Sequence, residues 1–528
     1  MRSPAEIAFR LRQELANLLL YLRPPHAPTS LQPLPLPPLP PVAAALPTIA
    51  PPVPWRQDPT SKIETPLVYF RRIPYLDPAR AGDHKAIWDR NRCQELAVLS
   101  SQGQHALVQA LLADWIAANP VHRGMNWTSA LEVAFRALSW LYIWHTPGAT
   151  IPPSFLNVLY AHGAHLFHNL SVYFSPNTHL LGEAVVLHAL GLFFRQPHWE
   201  KRGRANTLAC LESQVFPDGA YFEQSTYYHV YALDFFLLHH ALVPLPAHLA
   251  PILTRMGLFL QSLLGQAGEI PFLGDDDGGR LYHPFAPHAS FGLHTLAQLP
   301  PLPPAPLAFP STGLYFLAND RHQILCDAGP FARGSAGHSH ADTLQVLARI
   351  GPEEVLIDPG TFTYVADTQL RDLFRGPSMH NTIACDSFPQ ALPAGPFRWL
   401  HPPQVRVLAS SPNFLEAESL TAGGFVHRRK LQWNPATFQL HIEDSLDGPP
   451  GQHPISQFWH FASPPAASRL HCQPCPGFSL NERPDLSFRS RRFGHREPAP
   501  ALAFSGTTSF PANLSTRLDL TPSATIPS

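Results

Sequence analysis

The stretch GHSHADTLQVLARIGPEEVLIDPGTFTY, residues 337–364, contains two β-rich runs separated at Gly351-Pro352. Similar short runs lie on both sides of it: GLYFLAN and HQILCDAG before it, and NTIACD, PQVRVLAS, VHRRKLQW, TFQLHIED and SQFWHFA after it. Gly, Pro, Asp and Asn separate these runs, and no helical pattern comes between them. The series therefore predicts a large antiparallel β-sandwich over residues 306–528.

Residues 76–305 have helical periodicity instead, interrupted by Pro and Gly. Repeated helix pairs that are apolar on both faces indicate a layered α/α arrangement and not a simple bundle. The sequence thus predicts an α+β protein of two large domains. The predicted helices are His84–Ala118, Ser129–Trp144, Pro153–Leu170, His179–Phe194, Arg202–Gln214, Ser225–Leu242 and Leu249–Leu264.

The N-terminal part of the chain is composed differently. Residues 1–23 have an amphipathic helical pattern, and residues 24–75 form a Pro-rich stretch that favours polyproline II, as in a linker or surface arm. The longest apolar run of the helix, Leu18–Leu22, is shorter than the core of a signal peptide. No stretch has the length and apolarity of a membrane span. The sequence alone therefore predicts no signal peptide and a cytoplasmic location.

The overall charge and the cysteines exclude some classes of protein. A net charge of −1 over 528 residues gives no basic field for nucleic acid. Six Cys in so long a chain do not form a disulfide framework. Oligomeric state is left open.

The histidines of residues 337–386 suggest a chemical site. In an extended backbone, alternation places His338, His340 and Asp342 on one face. Imidazole and carboxylate are zinc ligands, and His340, Asp358 and His380 could supply three of them. His338 would then be available for proton transfer. In a chain with 29 His the same spacing also arises by chance, so spacing alone leaves the metal site open.

Two helical motifs have simple structural explanations as well as functional ones. Asn177, followed by Thr178 and His179, precedes an apolar helix, where an Asn is well explained as the N-cap. Glu183 lies one turn after His179 on the same face, as a paired residue would. Tyr228 begins an aromatic helix, where a tyrosine usually belongs to the core.

Several of these motifs together resemble the bacterial heparinase II/III-like polysaccharide lyases, within the alginate lyase and heparinase superfamily. GHSHADTLQV, LIDPGTFTY and RDLFRGPSMHNTIACD resemble the C-terminal half of that family, and SPNTHLLGEAVVLHALGLFF, DGAYFEQSTYYHVYALD and FLGDDDGGRL resemble its helical half, in the same order. The similarity covers about residues 75–460. It implies an incomplete (α/α) toroid followed by the β-sandwich, cleavage of an acidic, uronic-acid-containing polysaccharide by β-elimination, and a periplasmic or cell-envelope location.

The resemblance also implies catalytic residues. Asn177 and His179 would lie near the uronate carboxylate, with Asn177 as its neutraliser. Tyr228 would be the acid, with a further role as base left open, and adjacent Tyr227 leaves a one-residue ambiguity. His338 would be a base or an acid. Many relatives have Asn-Asn-His where this chain has Asn-Thr-His, so the division of work between Asn177 and His179 stays open.

The resemblance further implies a structural zinc ion held by His340, Asp358 and His380. Four residues are expected to bind substrate: Asn126, Trp127, Glu223 and Arg375. Trp127 offers a ring for stacking on a sugar, or a buried anchor at a helix start. Arg375 could bind an acidic group through two hydrogen bonds, or form an ordinary surface ion pair.

Two alternative functions remain at the level of sequence. A glycoside hydrolase would need two carboxylates across the cleft, for which Glu223 with Asp276 or Asp277 are the available residues. The run Gly274–Arg280 lacks the spacing of a calcium loop, so it is interpreted as a structural turn with Asp276 or Asp277 beside the cleft. A non-catalytic glycan-binding or exopolysaccharide assembly protein is the other alternative.

Overall fold

The computed structural model describes residues 3–40, 46, 48–282 and 288–522. Residues 1–2, 41–45, 47, 283–287 and 523–528 lie outside the described residues. They include the start of the predicted N-terminal helix and part of the Pro-rich stretch. The chain forms two compact units. Unit 1 comprises Met1–Gln214, Tyr231–Pro251 and Gly279–Pro287, and unit 2 comprises Val215–Val230, Ile252–Gly278 and His288–Ser528.

The predicted fold class is confirmed: an incomplete (α/α) toroid precedes an antiparallel β-sandwich. The boundary predicted between residues 305 and 306 stays a prediction. The helices are α1 (Pro4–Leu22), α2 (Pro78–Ala81), α3 (His84–Asn91), α4 (Gln94–Ser101), α5 (His105–Ala118), α6 (Ala130–His145), α7 (Phe155–Asn169), α8 (Thr178–Phe193), α9 (Pro197–Gln214), α10 (Thr226–Leu242), α11 (Ala250–Leu264), α12 (His288–Ala297), α13 (Thr368–Phe374) and α14 (Pro464–Ala467).

The single helix predicted over His84–Ala118 is wrong, because the chain forms α3, α4 and α5 there. The breaks fall at Cys93 and Gly103, which have φ of 56° and 82°. A helix cannot continue through a residue with positive φ. Gly103 is an ordinary helix-ending residue, whereas Cys93 adopts this conformation without any signal in its residue type.

Helices α6 and α8 are buried on nearly all sides, as the apolar pattern on both faces predicts. Ser129 caps α6 by accepting from the backbone N–H of Glu132 at 3.4 Å. Helices α8 and α9 approach closely at Gly203, where an added Cβ would lie 2.4 Å from the backbone nitrogen of His188. A side chain at this position would therefore push the two helices apart.

The Pro-rich stretch is a packed arm and not a free linker. The backbone N–H of Leu34 donates to His145 Nε2 at 2.7 Å, and the Tyr142 hydroxyl donates to the Pro37 carbonyl at 3.0 Å. The backbone N–H of Val53 donates to Asp114 at 2.9 Å. These bonds hold the arm along the helices of unit 1. No helix of the described residues is long and apolar enough to cross a membrane.

The strands of unit 2 form antiparallel sheets in the orders β1-β2-β3-β4-β5, β14-β19-β12-β11-β10-β9 and β15-β18-β13-β6, with the pairs β16-β17 and β7-β8. Their bounds are β1 (Ala308–Phe309), β2 (Leu314–Ala318), β3 (His322–Asp327), β4 (Val346–Ile350), β5 (Glu353–Leu356), β6 (Ile383–Cys385), β7 (Leu392–Pro393), β8 (Trp399–Leu400), β9 (Gln404–Ser411), β10 (Phe414–Leu420), β11 (Val426–Asn434), β12 (Gln439–Asp447), β13 (His453–His460), β14 (Leu470–Cys472), β15 (Phe478–Glu482), β16 (Phe488–Arg492), β17 (His495–Pro498), β18 (Ala501–Thr508) and β19 (Ala512–Asp519).

A buried ion pair joins the sandwich core to the loops that contain His340 and His380. Arg429 in β11 and Asp444 in β12 lie opposite each other in register and pair at 2.7 Å. The Arg429 guanidinium also donates to the carbonyls of Leu344 and Asn381, each at 2.7 Å. Asn381 in turn donates to the carbonyls of Val346 and Ile357 at 2.9 Å. These bonds therefore fix three chain segments: one that follows His340, one that precedes Asp358 and one that follows His380.

Helix α13 was not predicted, since the sequence analysis expected no helix among the strands. Asp367 caps it by accepting from the backbone N–H of Leu370 at 2.9 Å. The segment of seven residues is too short for a clear helical period. Arg371 in α13 and Arg375 directly after the helix are both buried, with 0% of each residue exposed.

The carboxyl of Glu183, on α8, generates a prediction about stability. It is 0% exposed and accepts from the backbone and hydroxyl of Ser171 at 2.6 and 2.7 Å. Burial raises its pKa to about 8 despite these bonds. Between its ordinary pKa and about 8, the unfolded chain ionises this group while the folded chain keeps it protonated, so stability falls as pH rises.

Glu183→Gln keeps the shape and removes this titration. We expect the variant to gain on the order of 2 to 4 kcal/mol over the wild type at pH 8, and little at pH 4.5, in urea unfolding followed by circular dichroism. Exposed Glu212→Gln is the matched control and should behave as wild type at both pH values. An equal pH dependence for wild type and Glu183→Gln would contradict the prediction.

Candidate active site and metal centre

The carboxylate of Asp275 is the centre of a buried polar cluster in unit 2. It is 0% exposed and accepts from His338 Nδ1 at 3.0 Å and His340 Nε2 at 2.9 Å. Arg371 donates to both carboxylate oxygens, in the fork geometry typical of an Arg–carboxylate pair. Burial alone would raise the pKa of Asp275, but Arg371 and the two histidines hold it well below its ordinary value. The group is therefore an anion.

The backbone around Asp275 is held against the loop of residues 337–342. The Asp275 N–H donates to the His338 carbonyl at 2.9 Å, and its own carbonyl accepts from the Ser225 hydroxyl at 2.6 Å. Gly274 has φ of 65°, and a Cβ there would lie 2.6 Å from the His338 carbonyl oxygen. Only glycine fits this approach, which turns the Asp275 side chain inward.

His338 lies between two carboxylates. Its Nδ1 faces Asp275, and its Nε2 is 3.2 Å from Glu223 Oε2, whose side chain is 4% exposed. Burial alone would lower the pKa of His338, but Glu223 and Asp275 outweigh this effect and raise it. The imidazole can therefore hold a proton and return it at Nε2.

Tyr228 lies directly beside His338. The two rings stack with centroids 4.0 Å apart and planes inclined by 24°. Tyr228 is the third residue of α10, and its backbone N–H donates to the Ser225 hydroxyl at 3.1 Å. Burial, with Asp277 nearby, raises the pKa of Tyr228 well above its ordinary value, so its phenol stays protonated. The Tyr228 ring therefore lies against the His338 imidazole.

Tyr364 and Arg371 complete this cluster. The hydroxyls of Tyr228 and Tyr364 are 3.3 Å apart, and the Arg371 guanidinium lies 4.9 Å from the centroid of the Tyr364 ring. Burial and the nearby Asp275 raise the pKa of Tyr364 well above its ordinary value. The Arg371 Nε also donates to the Pro396 carbonyl at 3.0 Å. Arg371 thus connects the Asp275 carboxylate with the tyrosine pair.

His340, Asp358 and His380 come together as predicted, with one potential ligand atom from each residue within 4.8 Å of the others. His340 Nδ1 and His380 Nε2 are buried and have no hydrogen-bond partner among the described residues. The Asp358 carboxylate accepts from His380 Nδ1 at 3.0 Å and from the Gly360 N–H at 2.8 Å. Two orphaned imidazole nitrogens beside a buried carboxylate fit a zinc ion.

Two more carboxyl groups, those of Asp327 and Asp342, belong to this region, and burial favours their protonated forms. Burial raises the pKa of Asp342 well above its ordinary value, and neighbouring Asp327 and Asp358 add to the rise. Burial likewise raises the pKa of Asp327 to about 6. Gln345 donates to both Asp342 and Asp358 at 3.0 Å. Because like charges destabilise one another when buried, this concentration of carboxyl groups also fits a bound cation.

The loop that contains His338, His340 and Asp342 is a turn and not the extended segment considered in the sequence analysis. His338 and His340 still meet, because both reach the Asp275 carboxylate. Asp342 contributes to a different group, where its carboxylate accepts from Gln345. The shared side of the two histidines therefore results from a common acceptor and not from strand alternation.

Asn177 and His179 belong to unit 1. The Asn177 side chain accepts from the His179 backbone N–H at 3.1 Å, so it is the N-cap of α8, as its sequence position indicates. Both residues are half-buried. Glu183, the residue one turn later, accepts from Ser171. The catalytic roles of Asn177 and His179 stay predictions.

Two of the expected substrate-binding residues are buried in unit 1. The Asn126 amide donates to Asn91 and Asn119 at 2.8 and 2.7 Å. Trp127 is 0% exposed, and its ring packs against His122 and His162 with centroids 5.0 and 5.1 Å away. An indole without exposed surface has no face for a sugar, which favours the alternative of a buried anchor.

Arg375 is also buried and structural in its contacts. It pairs with Asp372 and donates to the Gly395 carbonyl at 2.8 Å, while its guanidinium lies 4.5 Å from the centroid of Trp399. Glu223, the fourth expected substrate-binding residue, lies against His338, with its Oε2 3.2 Å from His338 Nε2.

Asp275, Arg371 and Tyr364 were not predicted as site residues. The loop at residues 274–280 was predicted to be a structural turn, with Asp276 or Asp277 beside the cleft. In the structure the Asp276 carboxylate accepts from the Gly278 N–H at 2.8 Å, so it stabilises the turn, and Asp275 is the residue that accepts from the two histidines. The signal available was Gly274 directly before it, which marks a turn that aims one side chain inward.

Residues 102–244 match the family described as heparinase II/III N-terminus, and residues 301–507 match heparinase II/III-like, C-terminal. A search of curated protein sequences found no match.

Three similar solved structures have the same fold. A heparinase III gene product has a TM-score of 0.60 and 18% identity, over 87% of this chain and 82% of that chain. A mutant of the heparan sulfate lyase HepC from Pedobacter heparinus has a TM-score of 0.54 and 18% identity, over 83% and 77%. A further structure, titled heparinase III, has a TM-score of 0.64 and 14% identity, over 82% and 76%. With both family domains matched in order, the chain belongs to the heparinase II/III-like family.

Proposed function

We propose that this protein is a polysaccharide lyase that cleaves a uronic-acid-containing glycan by β-elimination. The observation that carries the proposal is the stacked pair of Tyr228 and His338, 4.0 Å apart and buried among carboxylates. Membership of the heparinase II/III-like family supports the same class of reaction. The pair offers a phenol proton and an imidazole nitrogen within one small volume.

The reaction needs one acid and one base near adjacent carbons of the sugar. The C5–H bond breaks and its electrons form the C4=C5 double bond, while the C4–O bond breaks and the departing oxygen takes a proton. Groups that accept and donate these protons must lie about 3 Å from the reacting atoms. The C5 proton is weakly acidic while the uronate is ionised, so a hydrogen-bond donor at the carboxylate is also required.

Tyr228 is suited to donate the proton to the departing oxygen, because its raised pKa keeps the phenol protonated near neutral pH. His338 is suited to take the C5 proton at Nε2, since Glu223 and Asp275 favour the resulting imidazolium. Tyr364 positions the Tyr228 hydroxyl through their contact at 3.3 Å. Asn177, and His179 beside it, are assigned to the uronate carboxylate on the family resemblance.

The metal residues are assigned a structural role. His340, Asp358 and His380 would hold a zinc ion, which would offset the buried carboxylates and fix the loop that presents His338. The solved structures above are named for heparin-type and heparan sulfate substrates. The net charge of −1 in this chain favours a less sulfated uronic-acid polymer, and a periplasmic or cell-envelope location follows from that substrate.

Glycoside hydrolysis is the less favoured alternative. It requires an acid and a nucleophile or base, both carboxyl groups, across the scissile bond. Here the Glu223 carboxylate lies against His338, and the Asp276 carboxylate accepts from the backbone of its own turn. Elimination leaves a C4=C5 double bond that absorbs ultraviolet light, whereas hydrolysis and simple glycan binding do not.

Tyr228→Phe tests the proposed acid. We expect the variant to increase the ultraviolet absorbance of uronic-acid polymers roughly 10²- to 10⁴-fold more slowly than the wild type, because the phenol proton is lost. Tyr227→Phe is the matched control and should retain the wild-type rate. Hydrolysed products without the double bond, or full activity in Tyr228→Phe, would contradict the assignment.

His380→Ala tests the metal centre independently of activity. We expect about one zinc per wild-type chain by elemental analysis, and loss of zinc with a lower melting temperature in the variant, because a bound ion stabilises the folded state. His441→Ala, at an exposed position of the same sandwich, should keep zinc and melting temperature. Retention of zinc by His380→Ala would show that the ion lies elsewhere.

A further inference from the structure

The Asp275 carboxylate contacts both functional histidines at once. Its Oδ2 lies 3.0 Å from His338 Nδ1, and its Oδ1 lies 2.9 Å from His340 Nε2. Arg371 pairs with both oxygens, so the group is an anion that only accepts hydrogen bonds. Each histidine must therefore place its N–H on the nitrogen that faces Asp275.

This requirement fixes the opposite nitrogen of each ring. In a neutral imidazole one nitrogen donates and the other has a free lone pair. With Nδ1–H facing Asp275, His338 keeps Nε2, which lies 3.2 Å from Glu223 Oε2, as the nitrogen that gains and loses a proton. With Nε2–H facing Asp275, His340 presents Nδ1, which is the orphaned nitrogen of the metal cluster. One carboxylate thus selects complementary tautomers in two rings that are two residues apart.

We propose that Asp275 is a positioning residue that couples the metal centre to the proposed catalytic histidine, by fixing His340 as a ligand through Nδ1 and His338 as a base through Nε2. The inference rests on the proposed function for its catalytic half, while its metal half stands on the donor set alone. Hydrogen-bond partners of this kind orient metal-bound histidines and support their affinity.

Further contacts hold Asp275 in this position. Its oxygens also face Thr361 Oγ1 at 3.4 Å, and its backbone is tied to the His338 carbonyl. An Asn side chain in the same place has a single acceptor oxygen and an NH₂ that donates. It can accept from one histidine, and the other must turn its lone pair toward the amide. Asp275→Asn therefore removes the correct tautomer from one ring and leaves only a neutral, weaker acceptor for the other.

The test is zinc affinity, measured by competition with a chromophoric chelator, together with kcat and KM on a polymer the wild type cleaves. We expect Asp275→Asn to bind zinc roughly 10- to 100-fold more weakly and to lose kcat by a similar factor, with KM little changed. Asp276→Asn removes the same charge one residue away and keeps its acceptor for Gly278, so its zinc affinity should equal that of the wild type.

His338→Gln separates the two halves of the inference, because it should lose kcat and keep wild-type zinc affinity. Asp275→Asn with wild-type zinc affinity, or with unchanged kcat, overturns the proposal, as does a wild-type protein that binds no zinc. If no polymer is cleaved, the proposed function fails, and the zinc comparison still decides the role of Asp275 at His340.

Asp275→Asn leaves Arg371 without its anion, which is costly in a buried site. If that variant does not fold by circular dichroism, Asp275→Asn combined with Arg371→Met removes both charges together and replaces the ion pair by a neutral amide and an apolar chain. The double variant should show the same weakening of zinc binding. Wild-type zinc affinity in the folded double variant overturns the proposal.

Discussion

Burying the carboxylate of Asp275 costs several kcal/mol unless a cation and further donors compensate for the lost water. Arg371 supplies the cation, and His338 and His340 supply two of the donors. The arrangement requires three separate segments of unit 2 to meet: the loop after α11, the loop of residues 337–342 and α13. The cluster therefore requires that all three segments be in place before its charges are satisfied.

A second buried ion pair, in the strands of the sandwich, supports this cluster. Arg429 and Asp444 lie opposite each other on neighbouring strands, and the remaining guanidinium donors of Arg429 hold the carbonyls of Leu344 and Asn381. The strands thus act as a rigid base for the loops that contain the candidate metal ligands. A site built on such a base keeps its geometry better than one that depends on loops alone.

The sequence predicted the helical and β-rich halves because periodicity and turn residues are local signals. It predicted His340, Asp358 and His380 because three separate motifs agreed. It missed Asp275, since three consecutive aspartates in a Gly-rich turn look alike until the backbone at Gly274 decides which one faces inward. It also named Arg375 and not Arg371. These residues lie one helical turn apart on α13 and its cap, so only tertiary packing distinguishes the one that reaches Asp275.

The contacts of the carboxylates support the proposed elimination over hydrolysis. A hydrolase needs two carboxyl groups directed at the substrate, one protonated and one ionised. Here Asp275 is neutralised by Arg371, Glu223 faces an imidazole, and Asp358 faces His380. These carboxylates contact histidines and the candidate metal site, and the groups proposed for proton transfer are a phenol and an imidazole. Such a pair can move two protons between neighbouring atoms of a sugar without forming a covalent intermediate, which is what β-elimination requires.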